Sequence, residues 1–519
     1  MTKGLKIGII AGSILLVGCV AFFVHKLLSH TSDSHLSVIP QNAAAVLKID
    51  LKQLAVKADP AKLMKMPGFQ KLSAGSLKDL VADPFSTGID PIENVYGFVA
   101  TEGSNSVAAL VFNVDDAGKL ETFENKLHLG TAETTVESGI YFTPLSESEC
   151  IAWNDDAGLI IAVKEGEAKP IAIKYLNQSR SNSIAENDDY KTFAKKTFDI
   201  GIFFNNKELS KMSGTEKSLA PLGMNDGHGE ILASFEKDKI VASYTNYSTG
   251  TNSILKKNGP DAKQFDAVAI DKPLLYVGMA ADMSALFSVL KNDPNLSTDL
   301  AGLEMGFGMG ESDLKKLFTG DISMAFSDYK DISAYDPRIK ANNLKILKAN
   351  PGMDSSELSL NTPMCYISIG ETDDAKMNAL LANSGLAKVD SFYAMPGFSY
   401  IVYCAAKNGH LLITNDYFAA QQLSHTGKLS AKFPEQVAKS DAFSFYADLN
   451  QHDLPASLTQ TFQGMYGDEA WQFYLNALSP FQYVRLSGKE NGSELEISVN
   501  AGGENSLSYL IGYYSTLMN

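Results

Sequence analysis

Five sequence patterns in the first half of this chain recur in the same order in its second half. Their offsets run from 232 residues (Asp50 to Asp282) to 258 residues (Asp115 to Asp373). The first pattern is an apolar run that ends in an Asp, at Asp50 and again at Asp282. The other four begin at Asp115, Gly158, Ile200 and Glu230, and again at Asp373, Gly409, Phe443 and Tyr483. Order conserved over five pairs predicts a tandem duplication.

The paired patterns also predict local structure. An apolar strand that ends in an Asp indicates a helix start, because an N-cap carboxylate accepts a hydrogen bond from a free helical N–H. Asp50 and Asp282 are therefore predicted N-caps, and so are the acidic residues of the two Asp-Asp-Ala triplets. Consecutive strand signals are closely spaced hairpins and helical signals are few. We therefore predict an α+β fold in which each half is an antiparallel sheet with helices on one face.

Domain boundaries follow from the duplication. We predict a first α+β repeat over residues 38–258 and a second over 266–519, with Gly259-Pro260-Asp261 in the linker. Each repeat is long enough to bury its own core, so the two could fold separately or pack as one body. The stretch 330–361 has no counterpart in the first half. We predict a surface loop there, of the kind that often carries binding residues.

Residues 1–37 are predicted to be a membrane anchor and tether. Lys3 and Lys6 precede an uncharged run from Ile7 to Val24, and these 18 residues are just enough for one membrane-spanning helix. The basic N-terminal side favours a cytoplasmic N-terminus. This predicts a membrane-anchored protein whose bulk is extracytoplasmic, either in the periplasm or at the cell surface.

The same segment allows a second interpretation. Leu16-Val17-Gly18-Cys19 resembles a bacterial lipobox, in which Cys19 would be lipidated and become the mature N-terminus. The apolar run continues for five residues beyond Cys19, whereas a signal h-region stops near its cleavage site. This continuation favours the uncleaved anchor. Both interpretations attach the chain to a membrane.

Charge limits the partners. The chain carries 44 basic and 60 acidic residues, for a formal net charge of -16. Such a balance repels phosphate backbones and anionic lipid surfaces, and it leaves no basic stripe to steer nucleic acid. We therefore expect no nucleic-acid partner.

A search for reactive residues predicts no catalytic, cofactor-binding or metal-ligating residue. The eight histidines form no metal motif, and Cys150, Cys365 and Cys404 have no paired spacing. Ser312 and Lys315 match a Ser-x-x-Lys pattern, but its partner motifs are absent and Ser312 is interpreted as a helix N-cap. The tryptophans and their aromatic neighbours could line a ligand groove, but their spacing favours core positions.

Four short motifs resemble a known family. They are Val38-Ile39-Pro40, Asp83-Pro84, Thr87-Gly88-Ile89-Asp90 and Tyr96-Gly97-Phe98-Val99. Together they resemble a family of exported Bacteroidetes proteins, many with lipoprotein signals, that is catalogued only as a domain of unknown function. The resemblance runs from about Val38 to the C-terminal helix. It implies export and carries over no functional residue.

These observations predict a non-enzymatic binding or scaffold protein of the cell envelope. Its expected partners are the membrane, through the anchor, and another envelope protein or an extracellular polymer. The alternative is an extracytoplasmic hydrolase of glycans or peptides, which would need a concave pocket that holds two carboxylates.

Overall fold

The computed structural model describes most of the chain beyond the predicted tether. The described residues are 34–59, 62, 84–90, 93–103, 105–127, 130–131, 133–213, 226–248, 254–256, 259–268, 270, 273–292, 298, 308–396, 401–430, 441–450, 456–489 and 491–517. The predicted anchor, Ile7 to Val24, lies outside them, as does Cys19. None of the helices within these ranges is long and apolar enough to cross a bilayer.

The chain forms two compact units. The first comprises Met1–Gly250 together with Val499–Asn519, and the second is Thr251–Ser498. The C-terminal segment of the predicted second repeat, 266–519, therefore belongs to the first unit.

The first unit contains a wholly antiparallel sheet. Its strands, within the described residues, are β1 (Ala45–Ile49), β2 (Val95–Glu102), β3 (Asn105–Asn113), β4 (Thr135–Glu137), β5 (Ile140–Pro144), β6 (Glu149–Trp153), β7 (Ala157–Val163), β8 (Ile200–Asn205), β9 (His228–Glu236) and β10 (Lys239–Asn246). Across the sheet the order is β10-β9-β8-β1-β2-β3-β7-β6-β5-β4.

Helices cover both faces of this sheet, which corrects the prediction of helices on one face. The described helices of the unit are α1 (Leu51–Ala58), α2 (Ala117–Leu127), α3 (Ala168–Leu176), α4 (Asp188–Ala194), α5 (Asn206–Ser213) and, near the C-terminus, α14 (Ser506–Leu517). Leu159 and Ile161 of β7 share a core with Ala172 of α3. Ile160 lies between them in sequence and shares a second core with Leu120 of α2. Neighbouring residues of a strand point to opposite faces, so both faces are covered.

The second unit contains another antiparallel sheet. Its described strands are β11 (Leu275–Ala280), β12 (Phe318–Asp331), β13 (Asn361–Glu371), β14 (Ala387–Val389), β15 (Phe392–Pro396), β16 (Ile401–Lys407), β17 (His410–Thr414), β18 (Phe443–Asp448), β19 (Phe481–Lys489) and β20 (Gly492–Val499). Their order is β20-β19-β18-β11-β12-β13-β17-β16-β15-β14. This is the order of the first sheet with ten added to each number.

Helices of the second unit also pack on both faces. They are, within the described residues, α6 (Met283–Asn292), α7 (Glu311–Leu317), α8 (Ile332–Tyr335), α9 (Pro337–Ala349), α10 (Asp374–Asn383), α11 (Tyr417–Thr426), α12 (Ala456–Tyr466) and α13 (Asp468–Leu478). Leu412 packs in a core with Leu423 of α11, whereas Leu411 packs in another with Met377 of α10.

The predicted N-caps are confirmed. Asp50 Oδ1 accepts a hydrogen bond from the Gln53 N–H at 2.8 Å, and Asp282 Oδ1 accepts one from the Ala285 N–H at the same distance. Asp116 and Asp373, from the two Asp-Asp-Ala triplets, accept the corresponding bonds at α2 and α10. One Asp of each triplet is therefore a cap, whereas Asp374 lies inside α10 and accepts from the Asn408 and Gly409 N–H groups.

The stretch predicted as a surface loop, 330–361, is helical. It enters between β12 and β13 as α8 and α9, and Ile332 of α8 is buried in the core shared with α11. Asp336 caps α9 by accepting hydrogen bonds from the N–H groups of Arg338 and Ile339. The start of the inserted segment is therefore packed into the core of the second unit.

Candidate functional site

An apolar groove lies on one face of the first sheet. It has a volume of about 400 Å³. Twelve residues line it: Ala45, Leu47, Gly97, Phe98, Val99, Ala108, Ala109, Leu110, Ile160, Ile161, Ala162 and Ile202. Glycine and hydrocarbon side chains make up the whole set.

Strand register explains the shape of the groove. One row of paired residues crosses five strands in the order Ile202, Leu47, Gly97, Leu110, Ile160. The next row along the strands is Ala45, Val99, Ala108, Ala162. Strands lie about 4.8 Å apart, so the first row is roughly 19 Å long. The second row consists of smaller side chains, which leaves a furrow beside the first.

The groove continues from a covered core. Beyond the first row, towards α2, lie the fully buried Trp153 and the buried Phe112. The Trp153 indole N–H donates to the Ala117 carbonyl at 3.1 Å, which fixes the start of α2 over that end of the sheet. In the opposite direction Ala108 is exposed, and Val99 and Ala162 are half-buried. The face thus passes from a helix-covered core to an accessible apolar surface.

The lining decides which ligands fit. The N–H and C=O groups of paired strands point within the sheet towards their neighbours, so the face of a sheet offers a ligand few hydrogen-bonding groups. A glycan or an extended peptide would leave its polar groups unpaired here, at a cost of about 1–3 kcal/mol for each buried group. Such a groove fits a ligand that is apolar along its length.

The second sheet carries a comparable face. The residues of β11, β12, β13 and β18 that point away from the α11 core are half-buried and mostly large: Leu275, Val277, Met279, Ile322, Met324, Phe326, Cys365, Ile367, Ile369, Phe443 and Phe445. These side chains leave less room than the alanines and the glycine of the first sheet.

A small polar cavity of about 110 Å³ lies at one end of the second sheet. Its lining includes Asp261, Asp321 and Glu371, so it brings three carboxylates together. Asp321 and Glu371 already have partners within the protein: Asp321 accepts from the Lys256 ammonium at 2.8 Å, and Glu371 accepts from the Asp373 N–H. The cavity is also smaller than the roughly 300 Å³ at which small-molecule sites begin. These contacts indicate a structural network.

The buried Glu371 holds a proton in this network. Burial, followed by its hydrogen bond with Asp374, raises the pKa of Glu371 to about 8. Burial by itself raises the pKa of Asp374. Hydrogen bonds from Glu371 and from the Gly409 and Asn408 N–H groups outweigh burial, so the pKa of this carboxyl is lowered. A protonated Glu371 and an ionised Asp374 thus share one proton, as carboxyl pairs do.

A second buried network joins the inserted helices to the core. Asp416, the N-cap of α11, accepts hydrogen bonds from the Tyr366 hydroxyl at 2.8 Å and the Tyr335 hydroxyl at 3.0 Å. Burial and the nearby Asp416 charge raise the pKa of both tyrosines. Asp336 similarly accepts from the buried Tyr403 hydroxyl. These bonds fix α8 and the start of α9.

The aromatic, serine and cysteine residues considered as candidates from the sequence lie in different environments. Trp153 and Trp471 are buried, as their spacing predicts, but Phe473 and Tyr474 of α13 are 62% and 51% exposed. The prediction for Ser312 was wrong, because α7 begins at Glu311 and its N-cap is Gly310. The described thiols Cys150, Cys365 and Cys404 are free. Burial raises the pKa of Cys150 to about 12, so this thiol is unreactive.

Sequence reasoning did not find the groove. Its residues come from strands far apart in sequence, from Ala45 to Ile202, and small residues in a strand are also compatible with ordinary packing. One signal was present: Ala157–Val163 is a continuous apolar strand, which is typical of a sheet covered on both faces. That run indicated a second apolar face.

Comparison with known proteins adds a family. Residues 35–336, more than half of the chain, match the family described as Domain of unknown function (DUF4836), which confirms the predicted kind of family. No curated protein matches the chain. Crystal forms I, III and IV of TP0453 match at 12–13% identity, covering 41–44% of this chain and 80–82% of theirs, with a TM-score of 0.26. Similarity at that level supports no inference about function.

Proposed function

The chain belongs to the DUF4836 family, whose description assigns no activity, and we propose its function from its own geometry. We propose a non-enzymatic binding protein of the cell envelope that holds a lipid acyl chain in the apolar groove of its first sheet. The observation that carries this proposal is the lining: twelve residues enclose about 400 Å³ without one polar side chain. This volume lies in the range of small-molecule sites.

An acyl chain fits better than the other apolar ligands. The furrow is long and shallow, and it crosses the strands beside a row of roughly 19 Å. A flexible hydrocarbon chain can follow such a furrow, and it has no polar groups that would need partners. A partner helix would need a wider apolar surface than this furrow, because the apolar stripe of an amphipathic helix spans over 100° of its circumference.

Membrane attachment is a second part of the proposal. The apolar run Ile7 to Val24 supports an anchor, and with it the placement of the bulk of the chain outside the cytoplasm. Attachment to a bilayer would keep the groove close to a source of acyl chains. Cys19 provides the alternative attachment by lipidation.

Internal duplication is a third part. Each sheet has ten described strands, and the strand order is the same in both, which supports a duplication. The equivalent caps at Asp50 and Asp282 support it as well. We propose that the copies diverged at this face, because Gly97 and a row of alanines open a furrow in the first sheet, whereas mostly large residues occupy the face of the second.

Photo-crosslinking tests the binding function. The full chain is incubated with a long-chain fatty acid that carries a photoactivatable diazirine, and the adducts are mapped by peptide mass spectrometry. We expect adducts on β1, β2, β3 and β7, with competition by unlabelled fatty acid. Adducts confined to other segments, or insensitive to competition, would contradict the proposal.

A further inference from the structure

The inserted helix α9 has an unusual charge for this chain. Within Pro337–Ala349 there are four basic residues and no Asp or Glu, although the chain as a whole carries a net charge of -16. The basic residues are Arg338, Lys340, Lys345 and Lys348. All four side chains are exposed. The helix is thus a local cationic surface on an acidic protein.

These cations also lack ion-pair partners among the described residues. Elsewhere in the same unit Lys256 pairs with Asp321 at 2.8 Å, and Arg485 pairs with Glu496 at 3.1 Å. The one carboxylate at the start of α9, Asp336, is buried and accepts from backbone N–H groups and from Tyr403. Within the part of the chain that the structure describes, no carboxylate forms an ion pair with this cationic surface.

The helix is held at its base and exposed along the rest of its length. Pro337 occupies its first turn, and Ile339 packs against the core that contains α11. None of its residues is fully buried. Thirteen residues at 1.5 Å rise make it about 20 Å long. The fold thus presents a rigid cationic rod to solvent.

An apolar residue lies within the cationic face. Leu344 is 51% exposed and is four residues from both Lys340 and Lys348, so the three side chains form one line along the helix. Lysine stems can lie along an apolar surface while their ammonium groups reach phosphates. Basic residues around an apolar one are typical of helices that lie on a bilayer, whereas a soluble polyanion offers Leu344 no apolar contact.

From this charge complementarity we propose that α9 binds the anionic surface of a phospholipid bilayer. Lys340, Lys345 and Lys348 contact lipid phosphates, and Leu344 enters the boundary between headgroups and acyl chains. The net charge of the chain opposes any general attraction, so binding depends on this helix. The inference is independent of the groove, since α9 belongs to the second unit.

Vesicle flotation tests the proposal with the full chain held in phosphatidylcholine nanodiscs. Added vesicles contain phosphatidylcholine alone or with phosphatidylglycerol. We expect at least tenfold more protein to float with the anionic vesicles. The variant Lys340→Gln/Lys345→Gln/Lys348→Gln should lose this excess, since each basic residue near an anionic surface favours binding. Leu344→Ser should lower it several-fold.

The matched control changes the same net charge elsewhere on the second unit. Lys376→Gln/Lys388→Gln/Lys407→Gln removes three exposed lysines and should float as the wild type does. Thermal unfolding of each variant verifies that it is folded. Equal flotation with both vesicle types, or retention by the α9 variant, would overturn the proposal. So would binding of soluble polyphosphate that matches vesicle binding and is indifferent to Leu344→Ser.

Discussion

Gly97 on β2 lies directly opposite Leu47 on β1, and a Cβ added to Gly97 would be 3.5 Å from the Leu47 Cβ. That distance is an ordinary van der Waals contact. The groove therefore exists at this position because Gly97 lacks a side chain, and not because the backbone requires glycine.

This relationship predicts that Gly97→Ala is tolerated. We expect stability to rise by up to about 0.5–1 kcal/mol, because alanine reduces the entropy of the unfolded chain. Gly158→Ala is the control on the same sheet, where the added Cβ would lie 2.2 Å from the Phe112 ring. It should lose about 1–3 kcal/mol through overpacking. Chemical denaturation of both variants measures the difference, and equal losses would contradict it.

The caps at equivalent junctions predict matched losses of stability. Asp50→Ala and Asp282→Ala should each cost about 1 kcal/mol, since each leaves a helix N–H without its acceptor. Fatty-acid binding should be unchanged after correction for the unfolded fraction. If either Asp contributed directly to a binding site, binding would fall while stability stayed the same.

The inserted helices should contribute to the stability of the second core, contrary to the prediction of a surface loop. Ile332→Ala should cost about 2–5 kcal/mol, because Ile332 is 1% exposed. Tyr335→Phe should cost about 1 kcal/mol by removing its bond to Asp416. The control is Leu344→Ala on the exposed face, which should change stability by less than about 0.5 kcal/mol. Urea unfolding checks all three, and a neutral Ile332→Ala would contradict the assignment.

Glu371 should make stability depend on pH. Its folded pKa is about 8, above the ordinary value of 4.5, so the folded state holds a proton that the unfolded state releases between these values. Protonated Glu371 therefore contributes fully to stability below pH 4.5, and this contribution is lost as the pH rises towards 8. Glu371→Gln should therefore reduce the stability lost between pH 5 and 8 by at least about 1.4 kcal/mol, the equivalent of one pKa unit.

The control for that experiment is Glu469→Gln on α13, at an exposed carboxylate. It should leave the pH profile of the wild type unchanged. Identical profiles for Glu371→Gln and the wild type would show that Glu371 is ionised throughout this range in the folded state.

Much of the local structure was predictable, because its causes are local. A cap bond joins an Asp to an N–H only three residues later, and Asp50, Asp116, Asp282 and Asp373 all make one after an apolar run. Helical content was underestimated, since helices such as α4 and α8 are too short for a clear periodic signal.

The site was less predictable, because it depends on strand pairing. Gly97, Ala108 and Ala162 become neighbours only when β2, β3 and β7 pair in this register. Tyr335 gave no sign that its hydroxyl would reach Asp416, 81 positions away. Distances of this kind follow from tertiary structure and leave no spacing rule in a single sequence.

A fluorescence titration with parinaric acid measures whether the groove of the first sheet holds an acyl chain. Ala108→Phe places a large ring in the furrow, and the matched control Ser106→Phe places it two residues along the same face of β3, outside the lining. We expect saturable binding to the wild type, at least tenfold weaker binding to Ala108→Phe, and wild-type affinity for Ser106→Phe. Equal affinity in all three proteins would contradict it.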